Sequence, residues 1–124
     1  MSSGFTKQYV DVRIYRYGEQ PELTDKLRYS SKNNGVIDVP KGFKTDFASI
    51  PRILWSIIAP TGKHTNASIL HDYLYTEGYK LGIDRKRADL IFYEAMIDSS
   101  VARFTANVMW FAVRVFGKWR YNSG

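Results

Sequence analysis

The hydrophobic and polar positions of this chain change rhythm about a third of the way along. Residues 8–17, QYVDVRIYRY, alternate, with Val10, Val12 and Ile14 on one side and Asp11, Arg13 and Tyr15 on the other. A period of two is that of a strand with one buried face. GEQPELT then reads as a connection, DKLRYSS as a second strand and VIDV as a third, ended by Pro40. KNNG between the last two is a turn signal, because Asn and Gly accept positive φ at low cost. This part predicts a small antiparallel sheet.

Residues 41–66, KGFKTDFASIPRILWSIIAPTGKHTN, are apolar in parts and broken by Pro51 and Pro60. The residue before a proline is pushed away from the α region, and Pro51 itself suits the first turn of a short helix, PRILWSII. APTGKHTN reads as a loop, with Thr65 or Asn66 placed to cap the next helix. The spacing predicts that helix from Ala67 to about Tyr79, loosened at its end by Gly78 and Gly82. Asp84 suits the N-cap of RKRADLIFYEAMID, whose Ala88, Ile91, Phe92, Ala95 and Met96 recur at helical spacing. A last helix, about 101–116, carries Phe104, Val108, Met109, Phe111 and Val115, and Gly117 closes it. Strands first and helices afterwards predict an α+β fold: a small N-terminal antiparallel sheet followed by about three helices. Neither a repeat, a low-complexity tract nor a linker interrupts the pattern, so residues 1–124 read as a single domain.

Composition narrows the chemistry. The chain has no cysteine, which excludes disulfides, thiolate metal ligands and a cysteine nucleophile, and suits a reducing compartment. MSSGFTKQYVDVRIY lacks the basic-then-apolar pattern of a signal peptide, and no apolar stretch reaches the roughly 18 residues of a membrane span. The net charge of +6 permits contact with nucleic acid, anionic lipid or an acidic partner. Its basic residues are spread out, with modest clusters at Lys80, Arg85, Lys86 and Arg87 and at Arg114, Lys118 and Arg120, and no nucleic-acid motif stands behind them, so nucleic acid is the least favoured partner. Nine Tyr, seven Phe and three Trp place some aromatics at the surface, as at a binding interface. The last helix and its basic tail, MWFAVRVFGKWRY, have the make-up of a segment that lies on lipid, although such a stripe more commonly packs into a core.

One apolar run carries polar groups that a buried aliphatic helix does not need: SILHDYLY, residues 68–75. In a helix His71, Leu74 and Tyr75 share a face, and Asp72 sits about 100° round. Asp89 stands on the next helix, within reach of His71 and Tyr75 if the two pack antiparallel. A carboxylate on one imidazole nitrogen fixes the tautomer and leaves the other as a base. Asp72, aimed at the adjoining loop, suits a hard cation such as calcium. A plain alternative stays open: a satisfied polar cluster that only holds the core together. In GFKTDFASIP, Asp46 reads either as a turn residue tying the loop to the sheet or as a further carboxylate near Asp72. Ser49 has no neighbouring base and no nucleophile-elbow glycines, which argues against a serine hydrolase. His64 reads as a solvated loop residue, and Trp55, Trp110 and Trp119 as core or rim.

LRYSS, VPKGFKTDFASIPRILW, ASILHDYLY, DRKRADLIFYEAM and MWFAVRVFG succeed one another over about residues 23–117. In that order they resemble the successive motifs of a phage and prophage family catalogued as domain of unknown function 1353. The resemblance implies a phage or prophage origin and no particular activity. H-D-x-x-Y on one helix and A-D-x-x-F on the next are also similar to the active-site helix pair of phospholipase A2, notably its compact viral-capsid form. That resemblance implies that His71 activates water, that Asp72 binds calcium, and that Tyr75 and Asp89 form the supporting network. The glycine-rich calcium loop of those enzymes has no counterpart in WSIIAPTGKHTN, and Asp46 is the candidate second calcium ligand. The expected function is therefore a phage-encoded phospholipase-A2-like ester hydrolase with His71, Asp89 and Tyr75 as its catalytic set. The alternative is a non-catalytic virion (tail) or assembly protein. The expected partners are a lipid or membrane surface, or other phage structural proteins, in the host cytoplasm or the virion.

Overall fold

In the computed structural model, which describes residues 3–5, 12–13, 22–45 and 65–124, two five-residue strands form the main part of the sheet. Strands β4 (Leu27–Ser31) and β5 (Gly35–Val39) pair antiparallel in the register Leu27↔Val39 to Ser31↔Gly35. The turn between them delivers the chain to Gly35 at φ 77°, a conformation that glycine adopts without a Cβ clash. Leu27, Tyr29, Ile37 and Val39 point inward and are buried. Arg28 and Asp38, directly opposite each other on the outer face, form a forked ion pair at 2.8 and 3.1 Å.

Three shorter strands join them. β1 (Gly4–Phe5) lies antiparallel on the other edge of β4, giving a three-stranded sheet in the order β1-β4-β5. β2 (Val12–Arg13) pairs with β3 (Glu22–Leu23) in a separate two-stranded sheet. Glu22 and Leu23 belong to the stretch expected to be a connection. The buried Leu23 explains the difference: its backbone bonds Phe43 O at 3.0 Å and receives Gly42 N at 2.9 Å, so the segment is stitched on a second side. Of the strand expected over 8–17, Val12–Arg13 alone is described. The expected helix PRILWSII lies outside the described residues, as do Asp46, Ser49, Trp55 and His64.

The helical half begins with α1 (Thr65–Glu77), continued by a 3-10 turn over Gly78–Leu81. Thr65 and Asn66 are the first residues of the helix rather than its caps. Every residue from Asn66 to Asp72 is buried, so α1 is an interior helix. Its polar side chains must then find partners inside the protein. Gly82, at φ 72°, turns the chain into α2 (Arg85–Asp98), whose N-cap is Asp84, accepting from Arg87 N at 2.8 Å as its position predicts. α3 is Arg103–Phe116. α2 packs between α1 and α3 and also touches β1 and β4. The fold is α+β, a small antiparallel sheet followed by three helices among the described residues. The core joins the inner face of the sheet to Leu70, Leu74, Ile91, Phe92 and Met109. Each such side chain contributes about 1.5–3 kcal/mol when fully buried.

The orientation of α3 departs from expectation. Ala106, Met109, Ala112 and Val113 face the core, while Phe104, Phe111 and Val115 face solvent. The helix is apolar on two opposite sides, and its period alone does not say which side turns inward. Among the described residues no helix is long and apolar enough to cross a membrane.

Candidate functional site

α1 and α2 meet at a cluster of polar side chains that the spacing of SILHDYLY and RADLIF anticipates. His71 Nε2 lies 2.7 Å from Asp89 Oδ1, and Tyr75 donates its hydroxyl to the same oxygen at 2.6 Å. The imidazole is flanked by the rings of Tyr75 and Phe92, with centroids 4.1 and 4.5 Å away. Neither His71 nor Asp89 has exposed surface, and Asp72 is 9% exposed.

α3 supplies a third partner. Arg114 Nη1 donates to Asp89 Oδ2 at 2.7 Å, so each carboxylate oxygen is engaged. Burial alone would raise the Asp89 carboxyl. The bond and charge of His71, with the bonds from Tyr75 and Arg114, outweigh it and hold the carboxyl below its ordinary value. Burial, and then the bond to Asp89, push the Tyr75 hydroxyl well above the usual phenol range, so it stays a donor. An anionic carboxylate can only accept, so Nε2 is the donor in this contact.

The surrounding chain holds this arrangement in place. Arg85, at the start of α2, donates Nε to Tyr75 Oη at 3.2 Å and its terminal nitrogen to Val113 O at 2.9 Å and to Arg114 O. Arg114 O is one of the last carbonyls of α3, while Val113 O also accepts from Gly117 N at 2.9 Å. Past α3 the chain passes so close to Tyr75 that a Cβ on Gly117 would stand 2.7 Å from the tyrosine hydroxyl and 2.5 Å from Val113 O. Gly117 does close the helix, but at φ −84°, so the crowding by Val113 O and Tyr75, and not its dihedral angle, calls for glycine. The tail folds back on α1. Asn122 N and Nδ2 donate to Tyr75 O at 2.7 Å and Thr76 O at 3.0 Å, and Tyr121 packs edge-on to Tyr75 with centroids 5.5 Å apart.

His71, Tyr75 and Asp89 are thus brought together, and Asp72 turns a different way. Its Oδ2 accepts from Thr45 Oγ1 at 2.5 Å, tying α1 to the end of the sheet region. Among the described residues no group of three or more His, Asp or Glu side chains is arranged to hold a metal ion. One carboxylate with an oxygen already engaged falls far short of the six to eight oxygens that calcium gathers. The other expected ligand, Asp46, lies outside the described residues. One turn before the dyad, on the same side of α1, Ser68 Oγ is buried and makes no hydrogen bond among the described residues.

Sequence reasoning missed Arg114, Arg85 and Thr45. Arg114 had a usable signal, a single charge inside the apolar run FAVRVF. An arginine in such a run needs a carboxylate partner or a route to solvent.

A family model described as "Protein of unknown function (DUF1353)" matches residues 21–113. "Uncharacterized protein y4jT" of Sinorhizobium fredii (strain NBRC 101917 / NGR234) is 32% identical over 120 residues, covering 94% of this chain and 33% of that protein. The chain thus spans about a third of the length of that curated relative. No solved structure gives a significant match.

Proposed function

Because the chain belongs to the DUF1353 family, whose description assigns no activity, we propose from its site geometry that it hydrolyses esters in the manner of phospholipase A2, with His71 as general base. The supporting observation is that one carboxylate oxygen, Asp89 Oδ1, takes both His71 Nε2 and the Tyr75 hydroxyl. Held this way, the ring has one nitrogen committed to the carboxylate. Once the site opens, the other takes a proton from water as the water oxygen attacks the ester carbonyl. Asp89 stabilises the imidazolium that forms, and Arg114 and Tyr75 keep Asp89 ionised for that purpose. The imidazolium then returns the proton to the departing alkoxide, and the products are a carboxylic acid and an alcohol. Calcium takes no step in this scheme.

Access is the demanding condition. His71 is fully buried, so the site must open to admit water and ester. Release of acid from a soluble short-chain phospholipid or aryl ester by the purified protein is the direct measurement. His71→Ala should lower the turnover by roughly 10²–10⁴-fold. Full activity in that variant overturns the proposal.

The burial of His71 favours a second reading: a non-catalytic phage virion or assembly protein that keeps the cluster as a tie between helices. It predicts that the wild-type protein hydrolyses no ester while His71→Ala still lowers the melting temperature.

A further inference from the structure

α3 carries apolar side chains on both of its sides, and one side meets water. Phe104, Phe111 and Val115 lie within about 40° of one another around the helix axis, and Phe104 and Phe111 are 80% and 63% exposed. Phe116, the last residue of α3, about 100° round from Val115, and Trp119 just beyond the helix are also exposed, at 58% and 76%. A surface helix normally keeps one face polar, and large exposed apolar side chains grouped in one place mark an interaction surface.

Charge selects the occupant. From Ser99 to the end the chain has four basic residues, Arg103, Arg114, Lys118 and Arg120, and no acidic one. Arg103 and Arg114 lie about 80–100° to one side of the apolar stripe. Lys118 Nζ stands 4.4 Å from the centre of the Trp119 ring, and Arg120 is exposed. Arg114 is already paired with Asp89, but a purely apolar partner would leave Arg103, Lys118 and Arg120 without counter-charge. A bilayer surface of anionic lipid matches both features: acyl chains for the phenylalanines, the headgroup level for an indole, and phosphates for the cations.

We propose that the outer face of α3 and its tail, Phe104, Phe111, Val115, Phe116 and Trp119 with their flanking cations, dock on an anionic lipid bilayer. The surface is separate from the His71 chemistry, although Arg114 borders both.

The test is flotation of the full chain with vesicles of phosphatidylcholine alone, and with vesicles in which about a third is phosphatidylglycerol. The protein should float with the anionic vesicles, be released by high salt, and show a blue shift of tryptophan emission that Trp119→Phe removes. Changing Arg103, Lys118 and Arg120 singly to Gln should weaken binding by about five-fold each. Phe104→Ser with Phe111→Ser should abolish binding without lowering the melting temperature. Three results would overturn the proposal: no flotation with anionic vesicles, binding that survives the double phenylalanine change, or a dimer or protein complex in solution that the double change dissolves. His71→Ala must leave flotation unchanged. Flotation without ester hydrolysis would remove the hydrolase reading and keep this one. Hydrolysis of a soluble ester without flotation would do the reverse.

Discussion

α2 receives a tyrosine hydroxyl on a carboxylate near each of its ends, and the two ends are built differently. Near the C-terminal end, Tyr29 of β4 donates to Asp98 Oδ2 at 2.6 Å and lies 2.9 Å from Glu94 Oε1, which also accepts from Ser31 Oγ at 2.8 Å. Near the N-terminal end, Tyr75 donates to Asp89 beside an imidazole and a guanidinium. Burial and then the carboxylate bonds push both tyrosines far above the usual phenol range, so both remain donors. The difference lies in the acceptors. Glu94 and Asp98 reach solvent, whereas Asp89 has no exposed surface. Water can replace a lost partner at the first cluster and cannot easily do so at the second. The first has the make-up of a tie between sheet and helix; the second holds a ring nitrogen in a fixed state.

Removing Asp89 should break the comparison hardest. Asp89→Ala strands the Arg114 guanidinium, His71 Nε2 and the Tyr75 hydroxyl around an empty space, at a cost of about 3 kcal/mol or more. Glu94→Gln, at the solvent-reaching cluster, should cost about 1 kcal/mol. Urea denaturation of the two variants measures the gap, and equal losses would mean that the clusters do the same structural work.

Gly117→Ala should rank next. The added carbon would stand 2.7 Å from the Tyr75 hydroxyl and 2.9 Å from Cε2 of its ring, so either the tyrosine or the chain after α3 must move. Overpacking of this kind costs about 1–3 kcal/mol. The change should also lower any ester hydrolysis, because it displaces the group that shares Asp89 Oδ1 with His71. A fully active, fully stable Gly117→Ala would show that Tyr75 tolerates displacement.

Acid titration sharpens the contrast on the Asp89 side. The folded protein holds this carboxyl below the 3.8 of a free aspartate. A group with a lowered folded value contributes stability that is present above the unfolded value and disappears as pH falls through the folded one. The denaturation midpoint should therefore fall in part through Asp89 as pH drops below about 4. Asp89→Asn should make that acid limb shallower, and a limb unchanged by the substitution would show that the ionisation of Asp89 is not linked to folding.

The sequence reveals the two clusters unequally. β4, its turn and β5 can be read from five-residue alternations, and the α2 cap from Asp84. β1 and β3 are two residues each, too short for any period to register. His71, Tyr75 and Asp89 can be found because helical spacing puts them on facing sides of adjacent helices. Arg85 escapes because its partners lie on other helices and its own neighbourhood reads as surface charge, whereas Arg114, the lone charge in FAVRVF, signals a need for a partner without saying which. The inward face of α3 escapes for another reason: alanines at 106 and 112 let that side pack closely, while the bulkier phenylalanines suggest the opposite side. The Tyr29 cluster escapes altogether, since a strand tyrosine and two acidic residues late in a helix suit any sheet-on-helix surface.

That last cluster carries the smallest effect. Tyr29→Phe keeps the ring, which packs against Phe5 with centroids 4.7 Å apart, and removes only the hydroxyl. Glu94 keeps Ser31 Oγ, Lys32 N approaches its other oxygen at 3.3 Å, and Asp98 can turn to water. With no charge stranded, the loss should be that of an ordinary hydrogen bond, about 1 kcal/mol, and ester hydrolysis should be unchanged. A loss as large as that of Asp89→Ala would mean that the sheet is anchored to α2 chiefly through this hydroxyl rather than through the apolar face of β4 and β5. The distinction between a tie and a site would then have to rest on the imidazole alone.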